Sequence, residues 1–387
     1  MGMEGFLGGR SIVVVLGDGG VGKTTVAAAL AAGAAASGRR VLAVTVDPSN
    51  RLKNALGLSG EPGIEEAVPI DAFGPVTGAG SLHAMVLDAA TELDRLVRRV
   101  APSEEVLERI TGNVFYRKAA ASMAGTHEYM AMERLLEALE SGRHDLVVLD
   151  TPPERHALDF LDAPARLDAL LGSDAFRVFV TASAGLSRAG LEAIKWRRLV
   201  LRGIGRFAGE ETFLQLLDFV LAFAPMYDGF RERAGRVRGW LAGERCTTLL
   251  VCRPGLACGE HVLSAIEALR ERGIQRTAVV VNQVHVWPPA GTAEAAVPAD
   301  GRSVLEAAMS SPALGMSDPG ALRELAGRVE TLAARYREQA AADLGRIEEL
   351  TRVVAPTPVR VLPLLADEVR DRPSLAVFAG VLREALA

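Results

Sequence analysis

Residues Ser11-Ile-Val-Val-Val-Leu-Gly-Asp-Gly-Gly-Val-Gly-Lys-Thr-Thr25 decide the fold. An apolar, β-branched run, Ile12–Leu16, leads into Gly17, and Gly22, Lys23 and Thr24 follow at the spacing of a phosphate-binding loop. Alanine-rich helical sequence, Val26–Ser37, comes next, so the motif lies between a strand and a helix, as its chemistry requires. Glycines here let consecutive backbone N–H groups converge on phosphate oxygens at the positive end of the helix. Gly19, Gly20, Val21, Gly22, Lys23, Thr24 and Thr25 form the expected cradle. Lys23 is placed to neutralise the β- and γ-phosphates and the Thr24 hydroxyl to ligate magnesium. The expected cofactors are therefore ATP and Mg2+.

Working outward, further short apolar runs recur along the chain, each followed by helical-period sequence. They are Val41–Val46, His83–Leu87, Leu146–Leu149, Thr247–Cys252, Ala278–Asn282 and Val359–Leu362. Continuous rather than alternating apolar runs suit strands covered by helices on both faces. The expectation is an α/β fold of the P-loop NTPase type, with a doubly wound, mainly parallel sheet. Residues 88–143 and 161–245 carry almost no strand signal, and both read as α-helical sequence inserted into the nucleotide-binding core. The expected division is ATPase core over 1–87, 144–160 and 246–387, a helical insertion over 88–143, and a helical subdomain over 161–245. Residues 286–303 read as a Pro- and Gly-rich loop, and Pro319–Thr351 as one long charged helix. The phosphate loop occurs once, which implies one ATP site.

Two aspartates end strands where a bound phosphate would lie. Asp47 follows the second run, and Asp150 ends the run Leu146–Leu149. Ligands of open α/β sheets sit at the carboxyl ends of the strands, where both carboxylates would meet magnesium, directly or through water, and the attacking water. Lys23, Asp47 and Asp150 are thus the candidate catalytic residues, and Thr24, Asp47 and Asp150 the candidate magnesium residues. An aspartate at such a place also commonly caps a helix.

Whole-chain properties narrow the class. The 387 residues, 49% of them hydrophobic, can bury a substantial core. A net charge of −5 argues against a dedicated nucleic-acid binder. Three cysteines, Cys246, Cys252 and Cys258, read as reduced thiols, and no run approaches the roughly 20 apolar residues of a membrane span. The cytoplasm is the expected location.

Gly17–Thr25, Asp47-Pro-Ser-Asn-Arg-Leu52 and Asp150-Thr-Pro-Pro-Glu-Arg-His-Ala-Leu158 resemble the loop and two switches of the arsenical pump-driving ATPases. That family includes the factor that targets tail-anchored membrane proteins, and its loop is a deviant form of the Walker A motif. Ser81–Met85, Gly125–Glu133, Val281-Asn-Gln283 and Pro363-Leu-Leu365 add to the resemblance, especially to the bacterial branch called anion-transporting ATPases. It implies a nucleotide-switched dimer that closes around ATP and opens after hydrolysis. It also implies that Asp47 positions or activates water, that Asp150 senses magnesium and the γ-phosphate, and that Asn282 bonds the adenine edge. Pro363 and Leu364, in the loop ending at Leu365, would cover the base. Arg155 and His156 either couple the second switch to the helical lobe or lie on a solvated helix start.

The chain also departs from that family. The family has a lysine directly after the first glycine of the loop, reaching the partner subunit's nucleotide, whereas this chain has Asp18. A carboxylate there repels phosphate. Three consequences stay open: slow hydrolysis, a heterodimer with a lysine-bearing paralogue instead of a homodimer, or a substitute cation such as Arg155. The family's two-residue-spaced, zinc-holding cysteine pair is absent, and Cys252, Cys258 and His261 read better as ordinary side chains than as a metal site. The three cysteines do not match arsenite sensing, which weakens a reading as an anion or arsenite pump subunit. An apolar stripe, Phe213, Leu216, Leu217, Val220, Ala224 and Tyr227, reads either as a groove for a hydrophobic helical client or membrane-protein partner, or as internal packing of the helical lobe.

Overall fold

In a computed structural model of the chain, residues 6–47, 51–74, 76, 78–114, 116–117, 126–152, 224–255, 258–288 and 318–386 are described, with isolated positions between 161 and 222. The apolar runs become strands β1 (Ile12–Gly17), β2 (Arg40–Thr45), β3 (Glu66–Val68) and β4 (Ser81–Val86). The series continues with β5 (Leu146–Asp150), β6 (Cys246–Cys252), β7 (Thr277–Val284) and β8 (Val359–Pro363). Their order in one sheet is β3-β4-β2-β5-β1-β6-β7-β8, with every pairing parallel except β3 on β4.

Side chains alternate across each strand, and both faces are apolar. On one face Val13, Val15, Val41, Ala43 and Val280 pack against helices α1 (Lys23–Ala36), α2 (Arg51–Leu56) and, near the chain end, Arg372–Ala385. On the other, Ile12, Val14, Leu42, Val44 and Val281 meet α3 (Ala89–Val100), α4 (Glu104–Thr111), α5 (Thr126–Glu140) and α6 (Tyr227–Ala242). The same face carries α7 (Cys258–Glu271) and α8 (Pro319–Val354), and the helix over Arg372–Ala385 is α9. Doubly wound parallel topology is therefore present, as the apolar runs imply. Of the helices described within 88–143, α5 packs on β5, and α3 and α4 join the same apolar cluster.

Helix α1 is buried on nearly every side, and its run of alanines lets it sit between the sheet and α9. Such close approach depends on the absence of bulk, since each longer side chain would have to displace a close-packed neighbour. The helix starts are set locally. Asp88 caps α3, Ser103 caps α4, Asp318 caps α8 just before Pro319, and Asp371 with Ser374 forms a capping box at α9.

The structure adds one strand to the seven apolar runs. Glu66–Val68 is only three residues long and pairs antiparallel at the sheet edge. It is too short for periodicity to show, and the Glu66 carboxylate is committed to the Ser59 and Gly60 amides (3.0 and 2.7 Å). The long charged helix extends to Val354, one turn beyond Thr351. Most of 161–245, including Phe213, Leu216, Leu217 and Val220 of the apolar stripe, lies outside the described residues. So do Arg155, His156 and 289–303.

Candidate nucleotide site

Strand order reverses around β1, so the loop after Gly17 opens at a topological switch point, between the carboxyl ends of β5 and β6. Gly17 has φ 149°, and a side chain there would collide with the Val251 carbonyl of the neighbouring strand. Gly22, at φ 93°, is the left-handed N-cap of α1, and a Cβ on it would run into the Asn282 amide. Only a glycine lets the chain enter α1 so close to β7. No side chain caps the first turn of α1, and no acidic residue occupies it, which leaves its N–H groups and positive dipole free for an anion.

Lys23 opens that helix and is buried. Its Nζ donates to the Asp18 carbonyl at 2.8 Å, folding the side chain back along the loop. Burial lowers its pKa, opposed by the nearby charges of Asp150, Asp18 and Asp47. A phosphate entering the loop would take over the ammonium group that the carbonyl now holds.

Asp150 is 1% exposed, and its acidity is changed in the direction that burial dictates. Desolvation raises its pKa to about 6, against the Thr24 and Thr45 hydroxyls and the Lys23 ammonium, which favour the anion. Thr45 lies beside Asp150 in the register of β2 on β5, and its Oγ1 donates to Asp150 Oδ2 at 2.9 Å. The same oxygen accepts from the Asp47 amide at 3.2 Å. One threonine thus ties the two strand-end aspartates together. The other carboxylate oxygen, Asp150 Oδ1, is buried without a partner in the protein. An orphaned carboxylate oxygen beside a threonine hydroxyl and a second carboxylate fits a hydrated divalent cation.

Lys23, Thr24 and Asp47 line a cleft of about 760 Å3, and Asp150 and Thr45 lie behind its surface. Gly20, Gly22, Lys23, Thr24, Thr25 and Asp47 face it from the loop side, and Asn282, Pro363 and Leu364 from the opposite side. Asn282 is 3% exposed and donates from Nδ2 to the Val21 carbonyl at 2.9 Å, while its Oδ1 has no partner. It therefore pins the loop through one end and offers an acceptor through the other. Gln283, next along, has φ 59° at an irregularity in the β7–β8 pairing, a conformation uncommon outside glycine. Leu364 N then donates to Val284 O at 2.8 Å, which draws the Pro363–Leu364 turn over the cleft.

Asp18, Gly19 and Val21 face elsewhere. They line a separate cavity of about 390 Å3 on the outer side of the loop, with Cys252, Cys258 and His261. The two thiols are hydrogen-bonded to each other. That bond, before burial, raises the pKa of Cys252 and lowers that of Cys258. Among the described residues no group of three or more His, Cys, Asp or Glu side chains is arranged to hold a metal ion.

The family model for anion-transporting ATPases matches residues 10–193, which span the loop, both strand-end aspartates and α1 through α5. Among similar proteins, ATPase GET3 of Malassezia globosa is 27% identical over 277 residues, 71% of this chain and 73% of the relative. ATPase get3 of Aspergillus terreus is 26% identical, covering 72% and 74%. ATPase ASNA1 homolog 2 of Paramecium tetraurelia is 22% identical, covering 70% and 75%. The proteins this chain resembles are described as ATPases, and the cleft geometry agrees with that likeness.

The structure gathers Lys23, Thr24, Asp47, Asp150, Asn282, Pro363 and Leu364 around one region. Thr45 is the functional side chain that motif reading overlooks. Its role comes from register between β2 and β5, and a lone threonine at a strand end carries no sequence signal. Arg51, Asn54 and Arg370 also line the cleft, and of these only Arg51 falls in a quoted motif. No helix among the described residues is long and apolar enough to cross a membrane.

Proposed function

We propose that this chain is a cytoplasmic, magnesium-dependent ATPase that works as a nucleotide-switched dimer, with its helical lobe serving a hydrophobic helical client. The observation that carries the catalytic part is the Thr45 bridge between Asp150 and the Asp47 backbone, set against the open N-terminus of α1. Backbone N–H groups of Gly19–Thr25 bind the phosphates, and Lys23 leaves the Asp18 carbonyl to neutralise the transferred charge. Thr24, Asp47 and Asp150 would hold the magnesium, directly or through water, and the ion would supply charge neutralisation at the phosphates. Asp47 orients the attacking water. Burial raises the Asp150 pKa to about 6, and a cation facing its free oxygen would keep it ionised.

On the opposite wall, the Asn282 Oδ1 accepts from the adenine amino group, and Pro363 and Leu364 cover the ring. ATP thereby contacts both the loop and the β7–β8 turn. Release of the γ-phosphate is felt at β2 and β5 through Thr45, which gives the switch its mechanical route. The dimer and the client come from resemblance to the targeting and pump-driving family.

A second reading follows from Asp18. Its carboxylate occupies the position of the family's trans-acting lysine and lines the outer cavity rather than the cleft. In that reading the chain binds nucleotide as a gate and hydrolyses it very slowly unless it pairs with a lysine-bearing paralogue. Magnesium-dependent ATP turnover separates the two. The ATPase reading expects measurable turnover in the chain alone, lost in Lys23→Ala. Turnover that survives Lys23→Ala contradicts it, and an absence of turnover restored by Asp18→Lys supports the gate.

A further inference from the structure

We propose that the end of the sheet opposite the phosphate loop carries a second anion site, built for a small oxyanion of the phosphate type. It lies at the N-terminal ends of β6, β7 and β8, in a cavity of about 410 Å3. Arg10, Arg270, Arg276 and Arg360 converge on this cavity from the segment before β1, from α7, from the turn before β7 and from β8. No carboxylate is among the described residues lining it. Among the described residues, the one carboxylate paired with any of the four is Glu244, 3.8 Å from Arg276 and 92% exposed, a distance and exposure at which an ion pair contributes little.

Four guanidiniums with only that exposed counter-ion among the described residues are electrostatically unfavourable. Burial and then the charge of Arg276 lower the pKa of Arg10. The polar inventory of the wall is also incomplete. Thr247 is 3% exposed, and its hydroxyl has no hydrogen-bond partner. The Nε groups of Arg10 and Arg360 are likewise buried and unpartnered. Unsatisfied buried donors are rare, and several around one cavity of uniform charge point to a ligand that accepts hydrogen bonds and is negative.

The donor set selects the class. Guanidinium forks match the oxygens of phosphate or sulfate in bidentate fashion, and Thr247 and Thr277 add hydroxyl donors at the floor. Two arginines are held in place: Arg10 Nη1 donates to the Phe6 carbonyl, and Arg360 Nη1 to the Val359 carbonyl at 3.4 Å. The site is distinct from the nucleotide cleft. Thr277 begins β7 and Asn282 lies five positions further along it, about 17 Å at the rise of an extended strand.

Inorganic phosphate is the probe, measured by equilibrium dialysis on the full chain with the phosphate loop removed from play in two ways. One arm uses Lys23→Ala and the other an excess of ADP with magnesium. Saturable phosphate binding is expected to persist in both arms and to be displaced by sulfate. The Arg270→Ser/Arg276→Ser double variant, altered only at exposed side chains, is expected to weaken it by about tenfold or more, with an unchanged melting curve. Thr247→Val, which keeps the side-chain shape, is expected to weaken it several-fold. The proposal is overturned if the Lys23→Ala chain shows no saturable phosphate binding, or if the double variant binds as well as the parent. Equal displacement by chloride at the same ionic strength also overturns it, because that is charge screening without a built site.

Discussion

The two faces of the phosphate loop meet different surroundings. The inner face looks onto a cleft with Lys23, Thr24 and Asp47, and behind it Asp150, tied by Thr45. The outer face looks onto a smaller cavity with Asp18 and a hydrogen-bonded pair of thiols. The inner face has what a nucleotide needs from its own chain. The outer face is where the family's lysine would stand, and it carries a carboxylate instead. In the proposed reading, binding and activation are governed by opposite sides of one short loop, and a substitution on one side need not disturb the other.

That division can be broken most forcefully at Gly22. An alanine there meets the Asn282 amide and must adopt φ 93°, so Gly22→Ala is expected to weaken nucleotide binding by roughly 100-fold or more. Isothermal titration with ATP and magnesium measures it, and near-normal affinity would mean that the loop is not the cradle. The next effect is on stability. Asp150 has its pKa raised from 3.8 to about 6 by burial, so the folded chain holds a proton that the unfolded chain releases between those values. The resulting destabilisation is absent below about pH 4 and complete above about pH 6. Asp150→Asn is therefore expected to stabilise the nucleotide-free chain at pH 7.5 by about 1–3 kcal/mol, with the gain vanishing near pH 4. Thermal melts over that range check it. The same variant should lose ATP turnover.

Asp18 sharpens the contrast from the other side. Asp18→Lys restores the family's cation and is expected to raise turnover about tenfold while leaving ATP affinity within a few-fold. An equal change in both would place Asp18 in the cleft after all. Smallest is Thr45→Val, which removes one buried bond and leaves Asp150 Oδ2 without its donor. About 1 kcal/mol of stability is expected to go, together with a partial loss of turnover, as read from denaturant unfolding and steady-state rates.

Much of this was legible in the chain. Seven apolar runs, the loop and both strand-end aspartates were readable because each depends on local spacing: continuous β-branched runs, or Gly-Lys-Thr between a strand and a helix. Asn282, Pro363 and Leu364 are named on resemblance alone, and the fold brings them to the same cleft as the loop. What stayed hidden depends on register and topology. Thr45 matters because it lies beside Asp150 across β2 and β5, and β3 exists only because β4 offers it an edge. Nor does Gln283 advertise its left-handed backbone, since the irregular pairing of β7 with β8 imposes it. Arg10, Arg270, Arg276 and Arg360 are scattered through the sequence and meet only because β6, β7 and β8 begin at the same end of the sheet as the segment before β1.

The most direct test of the two-faced loop is ATP binding, in the presence of magnesium, to Lys23→Ala and Asp18→Asn side by side. Loss of affinity in Lys23→Ala with near-parental affinity in Asp18→Asn is the predicted result. Retained affinity in Lys23→Ala, or an equal loss in both, would contradict the assignment of the nucleotide to the inner face.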